Sequence, residues 1–275
     1  MENEEIRKKV REGYGMVAKI NSSCCGPKTA GCCGGSDARI ASKGIGYSDG
    51  EMDSVPDGAN LGLGCGNPVA LASLREGETV LDLGSGAGFD SFLAANKVGP
   101  KGRVIGVDMT PEMLEKAREN AVKGGYTNVE FRLGEIENLP VADNHVDIII
   151  SNCVINLSPE KERVFREAYR VLKQGGRLVV SDIVLLEKLP EAVQQSVAAY
   201  IGCLAGATLK EQYLAAISSA GFRDLKVIEE SGFGADYMSN DPVAKTVFND
   251  AHLSRGDLIK LDRAVRSVKV SAVKP

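Results

Sequence analysis

The chain has no tryptophan, only two histidines, and aromatics at 5% of its 275 residues. Its core must therefore be mostly aliphatic, and the 43% of apolar residues is enough to bury a sizeable one. No apolar run approaches the roughly 18 residues that a membrane span needs, so no membrane partner is expected. The first residues, MENEEIRKKVREGYG, are charged throughout and lack the apolar stretch of a signal peptide. A cytoplasmic location follows as the expectation. There is no excess of positive charge either. The formal net charge is −4, and a nucleic-acid partner would need a basic face. The two histidines, His145 and His252, read as structural or solvated rather than catalytic.

What the chain does have is glycine and cysteine. Seven cysteines in a chain with no export signal argue against a disulfide framework. In a reducing compartment they point to soft-metal binding, redox chemistry or simple burial. Four of them, Cys24, Cys25, Cys32 and Cys33, fall in NSSCCGPKTAGCCGGSD. Their spacing differs from that of common structural zinc sites. The whole of 21–60 is poor in large apolar groups and reads as a long mobile loop following an amphipathic helix over 1–20. Vicinal thiols in such a loop suit capture of a thiophilic substrate or disulfide exchange.

From residue 77 the pattern becomes regular. Strands are expected at Thr79–Leu83, Val104–Val107, Val129–Leu133, Val146–Ile150 and Leu178–Ser181. Helices alternate with them at Phe89–Val98, from Thr110 to Gly124, and from Ser158 to Lys173. Thr110 and Pro111 read as a helix start. This alternation implies an α/β fold, a parallel sheet covered by helices on both faces. Further on, 189–205 and 209–220 look helical. Asp224–Glu229 and Ala264–Val273 look like strands that either extend the sheet or build a small α+β C-terminal lobe. The resulting division is 1–60, 61–185 and 186–275.

VLDLGSGAGFD places Gly84, Gly86 and Gly88 between a strand and a helix. Glycines permit positive φ and close approach of a ligand to the backbone, and the following helix offers free N–H groups. A dinucleotide loop would carry another glycine at position 89, where Phe89 stands. With Asp82 ahead of it and Ser85 within it, the loop suits S-adenosylmethionine better. Asp108 ends the second strand, where a carboxylate can accept hydrogen bonds from both ribose hydroxyls. Met109 beside it can pack on an adenine.

DLGSGAGFD, GVDMT and VLKQGGRLVVSD together resemble the class I S-adenosylmethionine-dependent methyltransferases, with Gln174 where a proline is usual. The resemblance implies a Rossmann-like sheet and methyl transfer. It implies that Ile136 and Glu137 of GEIENLP flank the adenine, and that Asn152 and Cys153 of SNCVINLSP face the transferring methyl.

LGLGCGNPVALA, SNCVINLSPEKERVFREAYRVLK and IGCLAGA narrow the resemblance to the arsenite S-adenosylmethionine methyltransferases, although Leu63 stands where some members carry an aromatic. That resemblance implies an arsenic(III) site at Cys65, Cys153 and Cys203. It implies an N-terminal cysteine as well, for which Cys24, Cys25, Cys32 and Cys33 are all candidates. Arsenic(III) favours three sulfur ligands, and thiolates are the soft ligands it prefers. The implied partners are arsenite or arsenic–thiol complexes, with disulfide formation among the cysteines reversed by thioredoxin or small thiols. Two other classes stay open from sequence: a methyltransferase acting on a quinone- or sterol-type acceptor, and a non-catalytic thiol–metal binding protein.

Overall fold

The structure, a computed structural model, describes residues 3–20, 35–189, 193, 204–232, 260–261 and 263–275. Its centre is a sheet of seven strands: β1 (Thr79–Leu83), β2 (Arg103–Asp108), β3 (Val129–Leu133), β4 (Val146–Asn152), β5 (Leu172–Leu185), β6 (Arg223–Gly232) and β7 (Val265–Val273). The order across the sheet is β3-β2-β1-β4-β5-β7-β6. The first five strands run parallel to one another, while β7 runs antiparallel to both β5 and β6.

Burial on both faces explains the apolar runs. Leu81, Leu83 and Ile149 point into a core shared with Val164 and Phe165 of helix α7 (Lys161–Val171) and with Tyr213 and Ile217 of helix α8 (Lys210–Ser219). Val80, Ile148 and Ile150 point the other way, against Leu93, Ala94 and Val98 of helix α5 (Phe89–Val98). Successive strand residues thus meet helices on opposite sides, as a covered parallel sheet requires. Helix α6 (Pro111–Gly124) packs Leu114 and Ala117 against Phe92 and Phe131.

Several expectations change. The stretch 35–60 is not a loop. It holds helix α2 (Gly35–Gly44) and helix α3 (Asp49–Asp53). A reciprocal capping box between Ser48 and Glu51 starts α3, and Tyr47 and Met52 bury themselves in the core. A few well-placed apolar anchors order a segment whose average composition reads as mobile. The helix expected from Ser158 begins only at Lys161; ahead of it the Ser158 hydroxyl donates to Glu137 and accepts the Glu160 N–H. It ends at Val171, because Leu172 is already extended and pairs with Val146 of β4. Thr110 gives its helix no side-chain cap; its hydroxyl turns to the Asp108 carboxylate. The C-terminal strands extend the sheet: β7 pairs along β5 from Arg177 to Leu185, and β6 lies outside it. Helix α1 (Asn3–Ile20) follows the amphipathic expectation and lies against α6. A fourth short helix, α4 (Pro68–Leu71), follows the first buried cysteine segment. Among the described residues, no helix is long and apolar enough to cross a membrane.

Candidate functional site

The strand order reverses direction between β1 and β4, and in open parallel sheets ligands bind outside the carboxyl ends of the strands at such a switch. Leu83 pairs with Val107 on one side and with Ser151 on the other, so β1, β2 and β4 end at a common edge. Beyond that edge lies a cavity lined by the Gly84–Ala87 turn, Asp108, Met109, Ile136, Asn152 and Cys153, with Arg7 and Val10 of α1 on its far wall.

The glycine turn is built as its spacing implies. Gly84 has φ 67°. A Cβ there would lie 2.3 Å from Val154 Cγ2, so both conformation and space exclude a side chain. The Gly86 N–H donates to Asp108 Oδ2 (2.9 Å), and the Thr110 N–H donates to Oδ1 (2.8 Å). The Thr110 hydroxyl also bonds to this carboxylate. Burial raises the Asp108 carboxyl above its ordinary range, against these hydrogen bonds. Asp82, which also lines the cavity, accepts from Ser91 Oγ (2.6 Å). Burial, then the nearby charge of Asp90, pushes Asp82 well above the ordinary carboxylate range.

S-adenosylmethionine, the group this turn and Asp108 imply, fits what is there. The buried Ser85 hydroxyl on the cavity wall has no hydrogen-bond partner among the described residues. Buried hydroxyls are rarely left unsatisfied, so it suits a polar ligand. Gly84–Gly88 and Asp108 would hold the group's polar parts, with Met109 and Ile136 as apolar walls.

Glu137 also lines the cavity, but its carboxylate is engaged on the protein side. It accepts from Ser158 Oγ (2.6 Å) and from Arg7 Nε (3.3 Å). Arg7 also pairs with Glu160 and lies 3.7 Å from Glu135. Helix α1 is therefore tied across the cavity by one nearly buried guanidinium.

Cys153 follows the last residue of β4 and Cys65 comes from the loop before α4; both are buried and neither forms a disulfide. They lie far apart in sequence, yet their Sγ atoms and a carboxylate oxygen of Asp182 all fall within 4.8 Å of one another. Cys153 has φ 61°, the left-handed region that a residue with a Cβ seldom adopts. Its N–H donates to the Ser181 carbonyl of β5 (2.8 Å). Cys65 is gripped on both sides of its backbone. Its N–H donates to Asn152 Oδ1 (2.9 Å), and its carbonyl accepts from Ser267 Oγ of β7 (2.8 Å). The Asn152 amide nitrogen also donates to the Gly66 carbonyl (2.8 Å). It further meets the Tyr47 hydroxyl (3.0 Å) and Asp90 Oδ2 (3.1 Å). Expected as a cofactor contact, Asn152 lines the cavity while its side chain holds the Cys65 loop.

Cys203, Cys24, Cys25, Cys32 and Cys33 lie outside the described residues. Asp182 was not singled out from sequence. It sits on β5 among apolar neighbours, fully buried, and accepts from the Tyr213 hydroxyl (3.0 Å) and the Ile183 N–H (3.0 Å). Burial pushes its carboxyl up to about 7. Arg7, Tyr47 and Asp90 were missed too; only the folded chain brings Arg7 and Tyr47 to this edge, whereas Asp90 closes the glycine motif itself.

Comparison with known proteins agrees with this geometry. The methyltransferase domain family matches residues 74–221. An arsenite methyltransferase of Halobacterium salinarum is 52% identical over 230 residues, which cover 82% of this chain and 59% of the relative. The arsenite methyltransferase of Homo sapiens is 37% identical over 229 residues, covering 79% of this chain and 58% of the relative. The chain thus spans about three-fifths of the length of these curated relatives. The crystal structure of an arsenic(III) S-adenosylmethionine methyltransferase from Chlamydomonas reinhardtii superposes with a TM-score of 0.63 at 33% identity, covering 86% of this chain and 73% of that one. With its glycine turn, acidic partner and paired thiols on one sheet edge, the chain belongs to the methyltransferase domain family, and within it to the arsenite S-adenosylmethionine methyltransferases.

Proposed function

We propose that this protein methylates trivalent arsenic held on the thiolates of Cys65, Cys153 and Cys203. The observation that carries this reading is the convergence of the Cys65 and Cys153 thiols beside the cavity that fits S-adenosylmethionine. When bound, S-adenosylmethionine supplies an electrophilic methyl group on a sulfonium. Arsenic(III) on thiolates keeps a lone pair, so the acceptor needs no general base, unlike an oxygen or nitrogen acceptor. The protein's contribution is to position and desolvate the thiol site. Asn152 and Ser267 fix the Cys65 backbone, and the Ser181 carbonyl fixes that of Cys153.

Accepting a methyl cation raises arsenic formally from the +3 to the +5 state. Two thiolates of the set return the two electrons by forming a disulfide, and thioredoxin or a small thiol reduces that disulfide. Cys24, Cys25, Cys32 and Cys33 serve in capture of arsenite or in this exchange.

The test is incubation of the full chain with arsenite, labelled S-adenosylmethionine and a thiol, followed by arsenic speciation. Cys65→Ser, Cys153→Ser and Cys203→Ser should each abolish methylation of inorganic arsenite while S-adenosylmethionine binding, read by calorimetry, stays near normal. Full activity in any of the three would refute the three-thiolate site.

A further inference from the structure

The cavity wall holds a second buried polar atom without a partner. Asn60, on the loop that leads to Cys65, lines the cavity as Ser85 does. Its Oδ1 accepts from the Ser42 hydroxyl of α2 (2.9 Å) and from the Gly62 N–H (2.9 Å). A backbone N–H can only donate, so these bonds fix which way the amide faces. Nδ2 is left over, buried and without a hydrogen-bond partner among the described residues. Buried donors are rarely left so. We propose that Asn60 is a specificity residue for the methyl donor, and that its Nδ2 donates to the carboxylate of the donor's aminoacyl arm.

The Asn60 loop spans the part of the edge where that arm belongs. Its start, Ala59, packs with Phe92 of α5 and Phe131 of β3. Its end meets β4, since a Cβ on Gly64 would lie 2.6 Å from the Asn152 amide nitrogen. Between these points stand the glycine turn and the first turn of α5. With the ribose on Asp108 and the methyl facing Cys153, the aminoacyl arm falls to this stretch. The buried Ser85 hydroxyl is a further donor there. No side chain caps the start of α5, whose N–H groups favour a negative charge. Charge then sorts the two ends of the arm. The cavity is lined by the acids Asp82, Asp90, Asp108 and Glu137, and among the described residues Arg7 is its one basic lining group. Arg7 is already held by Glu137, Glu160 and Glu135. A carboxylate entering here therefore depends on neutral donors such as Asn60, while Asp82 and Asp90 suit the ammonium.

S-adenosylhomocysteine and its decarboxylated form are the probes, each titrated by calorimetry into the full chain without arsenic. Failure of this experiment leaves the three-thiolate reading intact. In Asn60→Asp the new carboxylate still accepts from Ser42 and Gly62, but it puts an acceptor and a negative charge where the amide donated. This variant should bind S-adenosylhomocysteine about tenfold or more weakly. The decarboxylated probe keeps its ammonium alone and should bind as tightly as before, or more tightly. Asn60→Ala deletes the donor without adding charge. It should cost S-adenosylhomocysteine about tenfold and the decarboxylated probe several-fold less. A merely structural role in the loop would cost both probes alike. Circular dichroism shows that each variant folds. The unaltered chain should itself bind S-adenosylhomocysteine about tenfold or more tightly than the decarboxylated probe. Equal losses with the two probes, no loss in either variant, or equal affinity of the unaltered chain for both probes would overturn the proposal.

Discussion

Cys153 shows what a single residue carries at this edge. It stands at the end of β4 with φ 61°, where a side chain costs roughly 1–2 kcal/mol over the ordinary conformation. Strain of this kind persists only where neighbours fix it, here through the N–H bond to Ser181. The strain is separable from the thiol. Cys153→Ala and Cys153→Gly both delete the sulfur, but only glycine accepts the left-handed backbone freely. Glycine also loses more entropy on folding, so the glycine variant should be the more stable by roughly 0.5–1 kcal/mol in denaturant unfolding. A more stable alanine variant would mean that the backbone relaxes without help. Asp108 makes the complementary case. Its two oxygens already accept from Gly86 and Thr110, so its removal both deletes the expected ribose acceptor and loosens the glycine turn. Asp108→Ala should weaken S-adenosylmethionine binding at least tenfold by calorimetry; unchanged affinity would remove its cofactor role.

At the scale of elements, the site depends on pieces that tertiary folding alone unites. Helix α1 closes the cavity through Arg7, whose guanidinium meets Glu137, Glu160 and Glu135. Removing one partner from a nearly buried ion pair leaves the others uncompensated. Arg7→Ala should therefore raise the S-adenosylmethionine dissociation constant several-fold and speed its release in stopped-flow experiments. Identical release rates would show that α1 is not part of the gate. None of this was legible in MENEEIRKKVREGYG, where Arg7 is one charge among many and Glu135, Glu137 and Glu160 lie more than 120 residues away. Elements read well where local pattern decides them. Phe89–Val98 and Val129–Leu133 were recovered to the residue, because glycine turns bound an apolar period on each side. Reading failed where a side chain had a competing partner. Ser158 reads as a helix start, but its hydroxyl bridges Glu137 and the Glu160 N–H ahead of the helix, and Leu172 looked helical but pairs with β4. The candidate site divides in the same way. Cys153 and Asp108 were legible as strand ends facing a glycine turn. Asp182 was not, since an acid inside an apolar strand announces no direction until its neighbours converge.

For the whole molecule, this sheet edge gathers buried carboxylates, and that sets how stability responds to pH. Asp90 is pushed up to about 6 and Asp182 to about 7, in both cases mainly by burial. Asp82 and Asp108 are raised for the same leading reason. In the unfolded chain all four titrate near the ordinary aspartate value, about 4. Between about pH 4 and 7 the folded protein thus holds protons that the unfolded chain has released. Stability contributed by these groups is fully present below pH 4 and is lost as pH rises through 6 and 7. Groups with lowered values work in the opposite direction. Glu78 is held down by Arg177, Asp147 by Lys173 and Glu167 by Arg170, each against the opposing effect of burial. Their stabilisation is lost only as pH falls below about 4.5, a separate window. The two sets together place the stability maximum of the ligand-free protein near pH 5, with a decline on the order of a few kcal/mol by pH 8. Denaturant unfolding between pH 4.5 and 8 measures this directly. Asp182→Asn should flatten the decline, most clearly between pH 5 and 7.5, since its neutral amide carries no charge to desolvate. A wild-type stability that climbs steadily to pH 7 would show that these carboxylates are ionised in the folded state at little cost. Water or a cation would then have to reach the edge of the sheet where Asp182 lies buried.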